Sequence, residues 1–385
     1  VRAGQRVRVR LRLRAHAMSD NYDDVATKDA DKIPVTIVTG FLGAGKTTLV
    51  NYILRSPDHG LKIAVIENEF GATNIDEDLV TDNIKSKEDV ISMDNGCVCC
   101  TVRGDLVQAL TTLAARTDKK FDAVLIETTG LADPAPVAFT FMINPDIQDA
   151  FRIDSILCLV DSKHIKQHLD EVKPDNAVNE AVQQVAFADR ILINKTDLVS
   201  KEELAATKAT ILSINSYADL IETQNSRVDL SKVLGVNSFS VDKALEIDPQ
   251  FLDDTQSESV GPGPEGEEHA DKKPKTVKKV HDLSGVSSVG IEIEGDLDFQ
   301  KMNTFMMELL QEKARDIYRS KGVLSFAGQG DMRFVFQGVH EQMNFGPADK
   351  PWGPGEKRVN KMVFIGRQLD RRSLEEGFKS CLWSA

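Results

Sequence analysis

Gly40-Phe41-Leu42-Gly43-Ala44-Gly45-Lys46-Thr47 follows directly on the apolar run Ile33-Pro34-Val35-Thr36-Ile37-Val38-Thr39. It fits the pattern G-x-x-x-x-G-K-[ST] at the place that pattern requires, after a strand and at the opening of a helix. The glycines let the backbone curl so that successive N–H groups face phosphate oxygens, and the helix N-terminus adds its positive end. Lys46 is predicted to reach the β- and γ-phosphates and Thr47 to ligate Mg²⁺, with Thr48 completing the loop's contacts. Apolar residues at 49, 50, 53 and 54 continue the segment as a helix.

Two more strand ends complete a nucleotide site. Ala188-Asp189-Arg190-Ile191-Leu192-Ile193 reads as a buried strand and ends in Asn194-Lys195-Thr196-Asp197. An N-K-x-D at such a position matches the guanine-recognition element of GTPases. A carboxylate at Asp197 accepts from both N1–H and the exocyclic amine of guanine, and adenine offers no such pair, so GTP is expected over ATP. Between the two motifs, Asp122-Ala123-Val124-Leu125-Ile126-Glu127 ends a strand in an acid where a Walker-B group belongs. Glu127 then serves Mg²⁺, directly or through water, or orients the attacking water. Gly130 is placed to offer its N–H to the γ-phosphate. Lys46 and Glu127 are the expected catalytic residues for hydrolysis of GTP to GDP and phosphate.

Cys97-Val98-Cys99-Cys100 lies between these motifs, ahead of a helix predicted from Leu106 to about Arg116. Thiols near a helix N-terminus and beside Arg103 favour the thiolate. Three soft ligands at this spacing suit Zn²⁺, with Co²⁺, Ni²⁺ and Cu⁺ behind it, and leave a coordination position open for exchange. Cys97 and Cys100 also satisfy C-x-x-C, so redox chemistry is the alternative. Cys158 reads as a small core residue, and Cys381 has no evident partner.

Together these residues resemble the CobW-type metallochaperone GTPases, and within them the eukaryotic zinc-regulated GTPase metalloprotein activators. The resemblance is carried by Gly40 to Thr48, Gly96 to Cys100, Glu127 to Pro134 and Asn194 to Asp197. It extends to Ile63-to-Gly71, Glu222-to-Leu230, Trp352-Gly353 and Phe364-to-Asp370. It implies Zn²⁺ on Cys97, Cys99 and Cys100, switch segments over Glu67–Asp76 and Cys97–Gly104, and GTP-driven transfer of zinc to a client apoenzyme. A cobalt or nickel chaperone and a non-hydrolytic zinc buffer are the rival readings. Two departures stand out. Ala72 occupies a position where the family often carries an acid, and residues 18–32 lack the motif by which vertebrate members dock methionine aminopeptidase.

The chain's 385 residues divide into four stretches. Residues 1–32 are an extension, basic and then acidic; 33–230 form a P-loop GTPase domain. Residues 231–282 are a linker, polar enough from 248 to lack a fold of its own, and 283–385 form a smaller α+β domain. The first domain is predicted as a doubly wound, mainly parallel sheet with strands near 33–39, 62–67, 90–93, 122–128, 153–161 and 189–193. The second reads as a strand (288–294), a helix (298–314), a hairpin around Gly328-Gln329-Gly330-Asp331, a strand (360–366) and a helix (370–382). His340 is expected to hold a loop at its rim, a ligand role being the alternative, and His269 alone makes a metal-gathering linker improbable.

Charge and cysteine usage exclude several classes. The net charge of −13 argues against a nucleic-acid-binding face. No apolar run approaches the ~20 residues of a membrane span. Five cysteines, three of them within four positions, do not form a secreted disulfide framework. A cytoplasmic protein is expected. The first 17 residues hold six arginines and no acid. They read as sequence upstream of a start at Met18, with an organelle-targeting peptide as the alternative.

Overall fold

The structure is a computed structural model. It describes residues 32–56, 59–67, 90–92, 101–115, 121–171, 173, 179–238, 285–348 and 350–384. Continuous apolar runs become a parallel sheet because both of its faces are covered. Its strands are β1 (Ile33–Gly40), β2 (Ile63–Glu67), β3 (Val90–Ser92), β4 (Ala123–Glu127), β5 (Phe151–Asp161), β6 (Arg190–Asn194) and β7 (Asp219–Glu222). They stand in the order β3-β2-β4-β1-β5-β6-β7, and every pairing is parallel. From central β1 the chain winds first to one side and then to the other. That leaves the crevice for a ligand at the carboxyl ends, beside β1.

The sheet has seven strands where the sequence predicts six. Asp219-Leu220-Ile221-Glu222 pairs with β6 at the edge. Four residues with acids at both ends carry too little alternation to stand out as a strand.

Alternate residues feed two cores. Along β5, Ile156, Cys158 and Val160 join one and Leu157 and Leu159 the other. The smaller core takes α1 (Lys46–Arg55) through Leu49, Val50 and Ile53. The larger takes α2 (Thr101–Ala115), α3 (Ala135–Ile143), α4 (Pro145–Ala150), α5 (Ile165–Leu169), α6 (Glu180–Phe187) and α7 (Lys201–Ile214). Cys158 is a buried free thiol, as its surroundings in sequence imply, and burial pushes its pKa up to about 12.

Packing of the first domain runs past the expected boundary at 230. Val233 and Val236 are buried, and the buried Asp154 carboxylate accepts from the backbone N–H groups of Val236 (3.0 Å) and Asn237 (2.8 Å). This anchors the chain as far as Ser238, whose N–H donates to Asp154 O. Residues 239–284, including His269 and the rest of the expected linker, lie outside the described residues.

The second domain is an antiparallel sheet in the order β11-β10-β9-β12-β8. Its strands are β8 (Val286–Glu294), β9 (Ile317–Leu324), β10 (Phe334–Val339), β11 (Gln342–Pro347) and β12 (Val359–Arg367). β9 and β10 form the hairpin expected around Gly328–Asp331, and β11 is an additional strand. Helices α8 (Phe299–Lys313) and α9 (Arg371–Ser380) pack on this sheet, with Met302, Met306 and Leu310 buried. Tyr318, Val339, Val363 and Ile365 of the same sheet enter the larger core of the first domain. The two domains therefore share one apolar interior.

Candidate nucleotide-binding site

The loop after β1 turns through three left-handed glycines, Gly40, Gly43 and Gly45. Gly45 caps α1 with no side-chain hydrogen bond, and the helix has no acid in its first turn. Its first-turn N–H groups thus carry no competing carboxylate, as an anion site requires. Lys46 is only 8 % exposed, and its Nζ curls back to Gly40 O at 2.8 Å and Phe41 O at 3.3 Å. Burial lowers the pKa of this ammonium, and the nearby Glu127 carboxylate works against that. Thr47 Oγ1 donates to Glu127 Oε1 at 2.8 Å, joining the start of α1 to the end of β4. Glu127 is 9 % exposed and lies in register with Val38 on one side and Glu67 on the other.

The Asn194–Asp197 segment is fastened to this loop. Asn194 is 2 % exposed. Its Nδ2 donates to Ala44 O and Ser226 Oγ, both at 2.9 Å, and its Oδ1 accepts from Ser226 N (2.9 Å) and Thr223 Oγ1 (3.1 Å). Ser226 Oγ donates to Gly45 O at 2.9 Å. A Cβ on Gly45 would fall 2.5 Å from Asn194 Nδ2 and 2.7 Å from Ser226 Oγ, so only glycine permits this approach. The sequence reading counts Asn194 among residues touching the nucleotide. In the structure its two donors and two acceptor sites are all engaged by protein atoms, which seat it against the phosphate loop.

Lys195 adopts a left-handed φ of 59°. Ser162 Oγ holds its carbonyl at 2.8 Å, and Asp161 Oδ2 accepts from its Nζ at 2.8 Å. Asp161 also meets His164 Nδ1 at 3.0 Å and accepts from Lys163 N at 2.9 Å. Burial would raise the Asp161 pKa, but Lys195 and His164 hold it below the usual carboxylate range. Thr196 is tied to Thr223 O, and Asp197 stays exposed in the short turn Thr196–Leu198. Phe41 stacks on His168 of α5 at 3.9 Å between ring centroids.

On the other side of β1, Gly130 lies against the phosphate loop. A Cβ there would sit 2.7 Å from Leu42 N and from its side chain. The structure thus gathers Gly40 to Thr48, Glu127, Gly130 and Asn194 to Asp197 along one edge of one sheet. Cys97, Cys99 and Cys100 lie outside the described residues, between Ser92 at the end of β3 and Thr101 at the start of α2. Ala72 and residues 18–31 lie outside them as well.

Residues 34–222 match the family described as CobW/HypB/UreG, nucleotide-binding domain, and 286–382 match the cobalamin synthesis protein CobW C-terminal domain. The zinc chaperone YjiA of Escherichia coli is 34 % identical over 90 % of this chain and 98 % of its own length. The zinc-regulated GTPase metalloprotein activator 1 of Schizosaccharomyces pombe is 31 % identical over 89 % of this chain and 84 % of its own. A crystal structure of zinc-bound YjiA GTPase from E. coli superposes with a TM-score of 0.65 at 29 % identity, covering 91 % of this chain and 99 % of that one. The chain belongs to the CobW family.

In this CobW-family chain the sequence reading overlooked the residues that brace the site. Asp161 ends a buried parallel strand in a polar residue, as Glu127 and Asn194 do, so the same signal could have found it. Thr223 and Ser226 fall in the stretch Glu222 to Leu230 that carries part of the resemblance, which by itself marks no bracing role. Gln183 and Gln184 carry no local mark, because their partners are 50 and 54 residues away. His340, expected to hold a loop at the rim of the second domain, is part-exposed, and its Nδ1 meets Ala314 O just after α8 at 3.3 Å, while its ring faces the first domain. It stacks on Phe139 of α3 at 6.2 Å and lies tilted against Phe187 of α6 at 5.6 Å.

Proposed function

We propose that this chain is a GTPase that couples GTP binding and hydrolysis to the transfer of Zn²⁺ into a client metalloprotein. One contact carries the reading: the Thr47 hydroxyl on the Glu127 carboxylate at 2.8 Å, a carboxylate whose charge also acts on the buried ammonium of Lys46. A hydroxyl and a carboxylate are the hard oxygen donors that Mg²⁺ takes, so Thr47 and Glu127 would hold the ion, Glu127 directly or through water. Bound there, Mg²⁺ supplies positive charge to the β- and γ-phosphates. Lys46 adds its own charge to the same phosphates, the N–H groups of Gly40 to Thr48 wrap them, and Gly130 meets the γ-phosphate. Asp197, exposed at the end of β6, reads guanine, and Lys195, held by Asp161, lies alongside the base.

Zinc is the cargo, carried on Cys97, Cys99 and Cys100. These thiols lie in sequence between β3 and α2, so segments that respond to the γ-phosphate pull on the thiolates. The names of the relatives support zinc over cobalt or nickel. The client is a zinc metalloenzyme, methionine aminopeptidase being one candidate, met in the cytoplasm.

The test is zinc affinity, measured by competition with a chelating dye in GDP, in a non-hydrolysable GTP analogue and without nucleotide. Linkage requires zinc to tighten GTP binding by the factor with which GTP tightens zinc, typically ~1–3 kcal/mol. Replacing Cys97, Cys99 and Cys100 by Ser should abolish the coupling and leave nucleotide binding intact. Equal zinc affinity in all three states would reduce the protein to a static zinc store.

A further inference from the structure

Every residue of α6 after Glu180 is buried, so its polar side chains must find protein partners. Gln183 and Gln184 both find them in one loop. Gln184, 1 % exposed, donates from Nε2 to Gly130 O and to Ala132 O, each at 3.1 Å. Gln183 Nε2 donates to Asp133 Oδ2 at 3.2 Å, and Asp133 Oδ1 accepts from Ala135 N at 2.9 Å, at the start of α3. Burial raises the Asp133 pKa. The loop from Gly130 to Asp133 is therefore held from behind by α6 and touches the phosphate loop in front, through Leu42.

The other end of α6 is fastened to the second domain. Phe187 O accepts from Arg319, and Asp189, two residues further on, accepts from both Arg319 and Lys321 of β9. Tyr318 stacks on Phe187 at 6.1 Å. Less than one helical turn separates Gln184 from Phe187. A shift of β9 against the first domain would move the Gln184 amide with little chain between to absorb it.

We propose that Gln184 is a positioning residue for GTP hydrolysis, and that the C-terminal domain sets its place through α6. The amide fixes the Gly130 backbone beside the γ-phosphate by holding two carbonyls of its loop. An amide suits this position because it donates twice and adds no negative charge near the triphosphate. The inference rests on the proposed seat of GTP in the phosphate loop.

Gln184→Met keeps the length and burial of the side chain and removes both donors. Its kcat should fall at least tenfold while GDP affinity stays within twofold, and affinity for a non-hydrolysable GTP analogue should drop relative to GDP. Arg319→Met, in the other domain, should change kcat and that affinity ratio in the same direction. The double variant should lose less than the product of the two, because both act through one helix. Gln184→Glu tests the hydrogen bond itself. Its protonated acid can donate once, so its activity relative to the unmodified protein should fall as pH rises and at low pH should exceed that of Gln184→Met, whereas a packing role leaves the two variants equal at low pH.

Unchanged kcat and affinity ratio in Gln184→Met overturn the inference. If Gln184→Met binds no GDP, a pH-independent ratio in Gln184→Glu overturns it instead. Fully multiplicative losses, or no effect of Arg319→Met, overturn the role of the C-terminal domain. Turnover retained in Lys46→Ala would remove the GTP seat itself, a failure separate from these.

Discussion

Lys46 is held by two carbonyls of its own loop, a geometry that keeps the ammonium folded over the place where phosphates would lie. Its charge offsets theirs, so Lys46→Ala is expected to abolish GTP turnover in a phosphate-release assay. Asp197 differs in kind, because it is exposed and its proposed work is selection. Asp197→Asn should weaken GTP binding by about 2–3 kcal/mol, the cost of leaving a donor unpaired, and should relax discrimination against other purines. Calorimetric titration with GTP, ATP and inosine triphosphate reads both effects. Equal affinity of the unmodified protein for ATP and GTP would remove Asp197 from its role. Both positions stand out in the sequence because each belongs to a short motif read within a few consecutive residues. The bracing of Lys195 by Asp161 does not, since the two lie on different strands.

At the level of elements, the site is the carboxyl edge of one parallel sheet. β1, β4, β5 and β6 each end there, in Gly40, Glu127, Asp161 and Asn194. Asn194 welds β6 to the phosphate loop through Ala44, and Ser226 extends the weld to Gly45. Asn225 and Ser226 both adopt positive φ, near 51° and 55°, in a loop that closes by pairing Gln224 with Arg227. Such conformations cost β-carbon-bearing residues energy and persist where surrounding contacts demand them. Asn194→Ala would leave Ala44 O, Ser226 N and Thr223 Oγ1 short of a partner inside the protein. Stability should drop by about 2–4 kcal/mol in urea denaturation, and nucleotide affinity should fall for GDP and GTP alike. A loss confined to GTP would assign Asn194 to the γ-phosphate instead. The expected element order was readable because buried parallel strands are long apolar runs; β7 was not, being four residues long.

Across the whole molecule, Asp189 is an anchor between the domains. Burial would raise its pKa, yet Arg319 and Lys321 hold the carboxyl below the ordinary range, and Ile156 N donates to its other oxygen at 2.8 Å. Two cations share one oxygen, and Lys321, 22 % exposed, gives way: burial and the adjacent Arg319 lower its pKa from 10.5 to about 8. The unfolded chain then binds more protons than the folded one between pH 8 and 10.5, so this group's penalty fades as pH rises through that window. Relative to Lys321→Met, the unmodified protein should gain stability from pH 8 to 10, by an amount on the order of 1–3 kcal/mol. Chemical denaturation of both at pH 7, 8, 9 and 10 measures it, and parallel pH profiles would refute it. None of this was visible along the chain, because Asp189 and Arg319 stand 130 residues apart. Local order decided what the sequence by itself determined: the phosphate loop, the strand ends, the guanine motif and the thiol cluster, since each is read within a few consecutive residues. The tertiary structure alone decided that the two domains share an interior, that Asn194 serves the loop, and that α6 joins Gln184 to Arg319. Those contacts depend on which distant surfaces bury one another, and burial is a property of the folded whole.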